Sequence, residues 1–243
     1  MSTKVRILGI SGSPRKANTD IMVKEALKAA ETLGDVETKF ISVAGKNIKP
    51  CVTCYRCYTG IKPGRFCPTH DDDMQEFYER MLWADGWVVG SPVYWANITA
   101  QLKAVIDRTM PFCHYSSTPL KGALGHKVIG ALAIAYDVHG GQELTINMIH
   151  NWAMVQDMIV VGSGPQRPVV CYYGGACHQW PSSDLKAVKD KPDGLGLKSC
   201  RSTGMKVAEI TKIVRAGLEA IGYEESYKYL FEKGGFDYVK IKN

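Results

Sequence analysis

The chain has 243 residues, 45% of them hydrophobic and 22% charged, which is typical of a globular protein with one large or two small domains. Its 30 basic and 24 acidic residues give a net charge of +6, too small a surplus to indicate binding of nucleic acid. No apolar run approaches the ~20 residues of a membrane span, and the start MSTKVRILGISGSPR lacks the pattern of a signal peptide, so we expect a cytoplasmic protein with no membrane partner.

Short apolar runs alternate with amphipathic segments along the chain. The apolar runs predict strands over residues 5–9, 36–43, 86–90, 128–135 and 158–162. Helical spacing of apolar residues predicts helices over residues 18–33, 71–84, 98–110, 142–156 and 199–221. Residues 44–70 and 163–198 have neither pattern. We expect the first of these segments to be a cysteine-rich loop and the second a long loop excursion.

This alternation predicts an α/β fold in which one parallel sheet is covered by helices on both faces. Right-handed crossovers reduce the choices to a doubly wound sheet of five strands. We expect residues 1–243 to form a single domain, with a C-terminal extension over residues 222–243. In such sheets ligands bind where the strand order reverses, at the carboxyl ends of the strands.

The first loop at that edge has the sequence SGSPRKANT, from Ser11 to Thr19. It joins a strand to the start of a helix, where backbone N–H groups and the helix dipole suit a phosphate group, and Arg15 adds a positive charge. The loop has neither the dinucleotide pattern G-x-G-x-x-G nor the Walker pattern. Taken alone, a simple capped turn explains it equally well.

Two further loops follow the third and fourth predicted strands. The first contains Tyr94 and Trp95, which suit the wall of a flat ring but also suit ordinary packing. The second contains Gly140 and Gly141, which let the backbone approach a ligand closely but also suit a turn. In the strand order 2-1-3-4-5 all three loops are neighbours. Together they favour a phosphorylated planar cofactor, and FMN at this position is the known use of such a switch point.

The segments GSPR…NT, GSPVYWANITAQLKAVIDR and HGGQE resemble the NADPH-dependent FMN reductase branch of the flavodoxin-like superfamily. The cysteine run followed by DDDM resembles the iron–sulfur flavoproteins of that branch. The resemblance covers roughly residues 4–162, and it implies a flavodoxin-like fold and homo-oligomers, dimers or tetramers, with the flavin near the subunit interface. The FMN-binding residues that it implies are Ser11, Ser13, Pro14, Arg15, Asn18, Thr19, Pro92, Val93, Tyr94, Trp95, Asn97, Gly140, Gly141 and Gln142.

Half of the eight cysteines lie in the cysteine-rich loop, as Cys51, Cys54, Cys57 and Cys67. All-sulfur sites select zinc or iron–sulfur clusters. Structural zinc sites pair their ligands in two separated knuckles, whereas three cysteines at two-residue spacing and a final Cys-Pro are closer to a ferredoxin run. We therefore predict a [4Fe–4S] cluster held by these four cysteines, with zinc or metal-free thiols as alternatives. The nine residues YTGIKPGRF between Cys57 and Cys67 make a longer gap than the resemblance implies.

Residues 44–70 contain no acidic residue but several basic ones, Lys46, Lys49, Arg56, Lys62 and Arg65. Positive charge raises the reduction potential of an anionic cluster. The same residues also suit a surface that docks an acidic carrier such as ferredoxin. Both interpretations are compatible with a cluster in this loop.

These observations predict an FMN-dependent oxidoreductase that carries a [4Fe–4S] cluster and couples two-electron flavin chemistry to one-electron transfer, with NAD(P)H or ferredoxin as donor. No protein acid or base is required, so no catalytic residue is assigned. Alternatives are a cluster-free NAD(P)H-dependent FMN or quinone reductase, a non-enzymatic electron carrier working with ferredoxin, and a zinc-stapled flavodoxin-like module.

Overall fold

A computed structural model describes residues 4–62, 64–113, 116–117, 120–164, 172–179 and 194–223. Its strands are β1 (Val5–Ser11), β2 (Val36–Ser42), β3 (Gly86–Pro92), β4 (Val128–Ala135), β5 (Ile159–Val160) and β6 (Gly175–His178). Its helices are α1 (Asn18–Glu31), α2 (Met74–Trp83), α3 (Ala100–Asp107), α4 (Gln142–Val155) and α5 (Leu195–Ala220). Short 3₁₀ turns cover Arg56–Tyr58 and Met110–Phe112.

The sheet has the predicted parallel order β2-β1-β3-β4-β5, which confirms the flavodoxin-like doubly wound fold. Every residue of β4 is buried, as expected for a central strand covered by helices on both faces. The same pairing places the ends of β1, β3 and β4 side by side, since Ser11 pairs with Gly90 and Pro92 with Ile134. The three loops singled out in the sequence therefore leave the sheet at one edge.

The prediction that residues 163–198 form a loop excursion was wrong in one respect, because β6 lies within this segment. Strand β5 pairs only with Val128 and Ile129, and β6 takes over the pairing further along β4. The glycines before β6 hid the strand from the sequence pattern. A Cβ at Gly174 would lie 2.2 Å from the carbonyl oxygen of Ala131, so glycine is needed for the close approach to β4.

Three predicted helix starts were also displaced. Helix α3 starts at Ala100 rather than at residue 98, after its N-cap Thr99, and ends at Asp107 rather than at residue 110. Helix α2 starts at Met74 rather than at residue 71. Asp73 is its N-cap residue, and the Asp72 carboxylate accepts from the N–H of Met74 over 3.2 Å in the turn that precedes the helix. Helix α5 starts at Leu195 rather than at residue 199. The C-terminal extension is described only as far as Tyr223, and its remainder lies outside the described residues.

The sheet separates two apolar layers. On one face α2, α3 and α4 pack together, with Trp87 of β3 stacked on Trp152 of α4 at 5.7 Å between ring centroids. On the other face α1 packs along α5, where a Cβ at Gly204 would lie 2.1 Å from the carbonyl oxygen of Ala26. No helix among the described residues has both the length and the apolar character needed to cross a membrane.

Candidate functional site

The loop between β1 and α1 is closed by its own serine side chains. Ser11 and Ser13 are buried, and the N–H of Arg15 donates to Oγ of Ser13 over 3.1 Å. The N-cap residue of α1 is Ala17, which has no side-chain oxygen to accept from the first N–H groups of the helix. Those N–H groups and the positive end of the helix dipole suit an anionic ligand.

The other residues predicted for this loop differ in their exposure. Thr19 is buried in the first turn of α1, whereas Asn18 and Pro14 are half-buried. Arg15 is exposed to solvent at the mouth of the loop. Its guanidinium is therefore in a position to add charge from outside the backbone cradle.

Thr99 joins this loop to the start of α3. Its hydroxyl donates to the carbonyl oxygen of Gly12 over 2.6 Å and, as the N-cap of α3, accepts from the N–H of Leu102 over 3.1 Å. The N–H of Gly12 donates to the carbonyl oxygen of Gly90 over 2.7 Å. Both backbone groups of Gly12 are thus engaged, and the loop is fixed against β3 and α3.

The residues after β3 form a tight hairpin turn that presents two aromatic side chains. Tyr94 and Asn97 exchange both backbone hydrogen bonds, at 2.8 and 3.1 Å. Trp95 and Ala96 at its tip have left-handed backbones, with φ values of 52° and 58°. Trp95 is 101% exposed and Tyr94 42% exposed, so neither side chain belongs to the core.

The residues flanking this turn are held by the sheet. Pro92 ends β3, and the N–H of Val93 continues the pairing by donating to the carbonyl oxygen of Ile134 over 2.8 Å. The side-chain oxygen of Asn97 accepts from the N–H of Ile98 over 2.8 Å. The turn is therefore rigidly placed although its tip is exposed.

The loop after β4 approaches that turn through its two glycines. A Cβ at Gly141 would lie 2.9 Å from Cα of Ala96, and its φ of 95° is in the left-handed region. A Cβ at Gly140 would lie 2.4 Å from Cβ of Ala135. Only glycine satisfies both positions, and as a result the loops after β3 and β4 touch each other.

The side chain of Gln142 stabilises this loop from inside. Its Oε1 accepts from the N–H of Gly140 over 2.9 Å, and its Nε2 donates to the carbonyl oxygens of Asp137 and Cys177 over 2.8 and 3.2 Å. Because the amide is buried and engaged in this way, it ties the loop to β6.

All four cysteines of the cysteine-rich loop line one cavity. Cys113 does not line this cavity, and its Sγ lies 3.6 Å from the Tyr58 hydroxyl. The long gap before Cys67 is closed by Lys62 and Arg65, which exchange backbone hydrogen bonds of 3.1 and 2.9 Å. The cavity is lined by Cys51, Val52, Thr53, Cys54, Tyr55, Cys57, Cys67, Pro68, Thr69, His70, Tyr78, Arg108, Met110 and Pro111.

The thiols of this cavity influence one another electrostatically. Burial and the neighbouring thiols, Cys67 first among them, raise the pKa of Cys57 to about 11. A hydrogen bond with Thr69, with an Sγ to Oγ1 distance of 2.9 Å, and one from the N–H of Arg56 lower the pKa of Cys54. Four thiolates at this spacing repel one another, so they are stable together only around positive charge such as a metal centre supplies.

An ion pair between the Asp72 carboxylate and the Arg108 guanidinium anchors the start of the cysteine-rich loop. The side chains are 1% and 2% exposed, and Nη1 lies 2.8 Å from Oδ2. The pair holds both backbone groups of Lys49, because the Lys49 N–H donates to Asp72 over 3.0 Å and its carbonyl accepts from Arg108 over 2.8 Å. Burial opposes ionisation of Asp72, but the bonds from Arg108 and Lys49 outweigh it and lower its pKa.

Two buried nitrogen atoms on residues of the cavity wall have no hydrogen-bond partner among the described residues, Nε of Arg108 and Nε2 of His70. A buried polar nitrogen without a protein partner is available to water or to a bound group. Within the described ranges no three His, Cys, Asp or Glu side chains are grouped so as to hold a metal ion. The four sulfur donors nevertheless match the chemistry of a sulfur-ligated group, and the loop would have to adjust around it.

A groove of about 520 Å³ adjoins this cavity and shares Cys51 and Thr53 with it. Its other walls come from Ile98, which follows the aromatic turn, and from α3 and α4, including Trp152. The cysteine-rich loop and the segment that carries the turn are therefore neighbours.

Three residues of this region were missed in the sequence: Thr99, Asp72 and Arg108. Asp72 lies in the DDDM segment and Arg108 ends the AVIDR segment. No local pattern indicates that residues so far apart form a pair, because the contact depends on how α2 and α3 pack.

Residues 5–165 match the family described as NADPH-dependent FMN reductase. The chain is 39% identical to an iron–sulfur flavoprotein of Methanocaldococcus jannaschii, over 87% of this chain and 100% of that protein. It is 34% identical to an iron–sulfur flavoprotein of Methanosarcina thermophila, over 87% of this chain and 97% of that protein.

Two solved structures share the fold at lower identity. RosB with the bound intermediate 8-demethyl-8-formylriboflavin-5′-phosphate gives a TM-score of 0.67 at 14% identity, over 90% of this chain and 85% of that one. The apo form of an NADH:FMN oxidoreductase gives a TM-score of 0.54 at 19% identity, over 86% of this chain and 89% of that one. The sequence matches show that this chain belongs to the NADPH-dependent FMN reductase family of flavin-dependent oxidoreductases and, within it, to the iron–sulfur flavoproteins.

Proposed function

We propose that this flavin-dependent oxidoreductase binds FMN and a [4Fe–4S] cluster in one chain and passes electrons between a two-electron reaction and a one-electron carrier. The observation that carries the proposal is the cavity lined by Cys51, Cys54, Cys57 and Cys67. An all-sulfur donor set selects iron–sulfur clusters or zinc, and the similar proteins are named iron–sulfur flavoproteins. If zinc or free thiols took the place of the cluster, the reductive titration described below would show uptake of only about two electron equivalents.

FMN would lie at the edge where the loops after β1, β3 and β4 meet. The loop after β1 would hold the phosphate through the uncapped N–H groups of α1 and the charge of Arg15. Tyr94 and Trp95 would cover the ring and exclude water, and the loop after β4 would approach with its backbone. The binding residues that we propose are Ser11, Ser13, Pro14, Arg15, Asn18, Thr19, Pro92, Val93, Tyr94, Trp95, Asn97, Gly140, Gly141 and Gln142.

When bound, FMN supplies two-electron chemistry and the cluster supplies one-electron exchange, so a chain that holds both can join NAD(P)H to carriers such as ferredoxin. The residues of this chain bind, orient and shield these groups. The groove shared by Cys51, Thr53 and Ile98 supports a short path between the two sites, because it connects the cysteine-rich loop to the segment of the aromatic turn.

The surface of the cysteine-rich loop supports docking of an acidic carrier protein. Lys46 is paired with Glu76 over 2.6 Å. The other basic residues of the loop are exposed, and they are Lys49, Arg56, Lys62 and Arg65. Opposite charge on a carrier would speed its encounter with this surface in a salt-dependent way.

The exposed aromatic turn supports a homo-oligomer, a dimer or tetramer, in which a second copy covers the flavin edge. Trp95 and the neighbouring Tyr94 together present an exposed aromatic surface that is available to a ligand or a partner. Light scattering of the FMN-loaded protein should give a mass of two or four chains. A monomer at micromolar concentration would contradict this part of the proposal.

Reductive titration under anaerobic conditions tests the proposed function. A chain with both groups should take up about three electron equivalents, two at the flavin and one at the cluster, and a cluster-free flavoprotein only about two. Rapid mixing with NADPH, NADH or reduced ferredoxin should then identify the donor by the rate at which flavin absorbance falls. Uptake of about two equivalents would leave the NAD(P)H-dependent FMN or quinone reductase as the better description.

A further inference from the structure

A buried positive charge forms part of the wall of the cysteine cavity. Arg108 follows α3 and is 3% exposed, and its guanidinium shares the cavity wall with the four cysteines. Two of its nitrogens bind Asp72 and the carbonyl oxygen of Lys49, whereas Nε is buried without a partner among the described residues. Arg108 therefore keeps one buried donor unused in the wall of this cavity.

The guanidinium remains charged although it is buried. Burial opposes the charged form, but the hydrogen bonds to Asp72 raise the pKa of Arg108 above its ordinary value. Asp72 does not line the cysteine cavity and contributes instead to an adjoining recess that Arg108 also lines. Of the two members of the pair, only Arg108 lines the cavity that all four cysteines share, whereas Asp72 shares the adjoining recess with Cys67 alone among them.

The exposed basic residues of the cysteine-rich loop act less strongly on charges in the cavity. Arg56 and Arg65 are in contact with solvent, where water and salt screen their charges. A charge in the low-dielectric interior acts several times more strongly on a neighbouring group. Arg108 is thus the positive charge among the described residues lining this cavity that acts without screening by water.

We infer that Arg108 sets the reduction potential of the cluster proposed above, by holding a buried positive charge at the wall of the cavity that its sulfur ligands line. The inference rests on the proposed function. Reduction by one electron adds one negative charge in the cavity, and a fixed positive charge beside it favours the reduced state. Hydrogen bonds to sulfur and net charge are both known determinants of such potentials.

Three substitutions separate this electrostatic role from the role of Arg108 in anchoring Lys49. Arg108→Gln removes the positive charge and Asp72→Asn removes the negative one, but both break the ion pair and loosen the loop. Arg108→Lys keeps the charge and loses the two-pronged geometry. Arg56→Gln is the matched control, because it removes the same charge from an exposed position of the cysteine-rich loop.

The midpoint potential of the cluster is measured by anaerobic redox titration of the holoprotein, with the electron paramagnetic resonance signal of the reduced cluster as the readout. Arg108→Gln should lower this midpoint potential by at least about 59 mV. For a one-electron couple, that shift lowers the ratio of reduced to oxidised cluster tenfold at any fixed solution potential. Asp72→Asn should shift it upward. Arg108→Lys and Arg56→Gln should stay close to the parent protein. If Arg108→Gln does not fold, the upward shift in Asp72→Asn and the unchanged value in Arg108→Lys carry the test.

Equal shifts in the same direction for Arg108→Gln and Asp72→Asn would show that loosening of the loop, and not charge, changes the potential. No shift in either variant would also overturn the inference. Iron and sulfide content of the same samples distinguishes its failure from failure of the proposed function. Parent protein with iron and an unchanged potential in the variants contradicts the inference alone, whereas parent protein without iron contradicts both.

Discussion

Gly141 and Ala96 lie in such close contact that a Cβ on the glycine would be 2.9 Å from Cα of the alanine. This contact joins the loop after β4 to the aromatic turn after β3. It depends on the left-handed φ of 95° at Gly141. The two loops that we propose for the flavin ring are therefore held in one arrangement before any ligand binds.

Replacing Gly141 by alanine should disturb this arrangement. The left-handed backbone costs about 1–2 kcal/mol for any residue with a Cβ, and the clash with Ala96 adds about 1–3 kcal/mol. Gly34→Ala is the control, because Gly34 also has a positive φ, of 68°, but has no atom within 4 Å of its Cβ position. Urea unfolding should show the larger loss for Gly141→Ala, accompanied by weaker FMN binding. Equal losses for the two variants would contradict the contact.

Thr99 is predicted to support FMN binding without touching the ligand. Thr99→Val removes the bond to Gly12 and the cap of α3, which should lower the free energy of unfolding by about 1–2 kcal/mol. FMN affinity, measured from the quenching of flavin fluorescence, should fall as the loop after β1 loosens. Thr99→Ser keeps both bonds and should behave like the parent protein. Full affinity in Thr99→Val would mean that the loop is held by other contacts.

The strand order and the positions of the three loops that we propose for FMN could be predicted from the sequence because each signal is local. A fully apolar run such as VIGALAIA identifies a central strand, and parallel order then determines which loops share an edge. Strand β6 could not be predicted in this way. Gly174 and Gly175 indicate a loop locally, but they are required by the close packing of this strand on β4 and α5.

The cysteines that line the cavity were also predicted, because residue type and spacing carry that signal. The ion pair of Asp72 and Arg108 was not predicted, since its two members come from separate segments that meet only when α2 and α3 pack. The structural role of Gln142 could not be predicted either. Its amide is bound to the carbonyl oxygens of Asp137 and Cys177, and Cys177 belongs to strand β6, which the sequence pattern did not indicate.

Breaking the buried ion pair should destabilise the protein far more than breaking an exposed one. Asp72→Asn leaves the Arg108 guanidinium buried without its counter-charge, and we expect a loss of about 3 kcal/mol in the free energy of unfolding. Asp107→Asn removes the same charge from the pair with Lys103, whose side chains are 50% and 42% exposed, and should cost less than about 1 kcal/mol. Similar losses in the free energy of unfolding, measured with urea, would show that the buried pair contributes no more to stability than the exposed one.

His150 makes stability depend on pH. Burial lowers the pKa of this histidine in the folded protein, so the unfolded chain binds more protons below its ordinary value of about 6.5. The stabilisation is complete above about pH 6.5 and is lost as the pH falls through the lowered pKa of His150 in the folded protein. The free energy of unfolding changes by up to about 1.4 kcal/mol per pH unit in this range.

His150→Leu should remove this part of the pH dependence, which is measured by urea unfolding between about pH 5 and 8. His178→Gln serves as the control, since His178 is exposed on β6 and its replacement should leave the slope intact. An unchanged slope in His150→Leu would assign the pH dependence to other groups.

The central claim is that the four cysteines of the cavity hold a [4Fe–4S] cluster. Iron and acid-labile sulfide are measured per chain in protein prepared without oxygen, for the parent, Cys54→Ser and Cys113→Ser. The parent and Cys113→Ser should contain about four iron and four sulfide per chain, because Cys113 does not line the cavity. Cys54→Ser should lose the iron and keep FMN. Parent protein with no iron and no sulfide, or equal iron in all three proteins, would contradict the account.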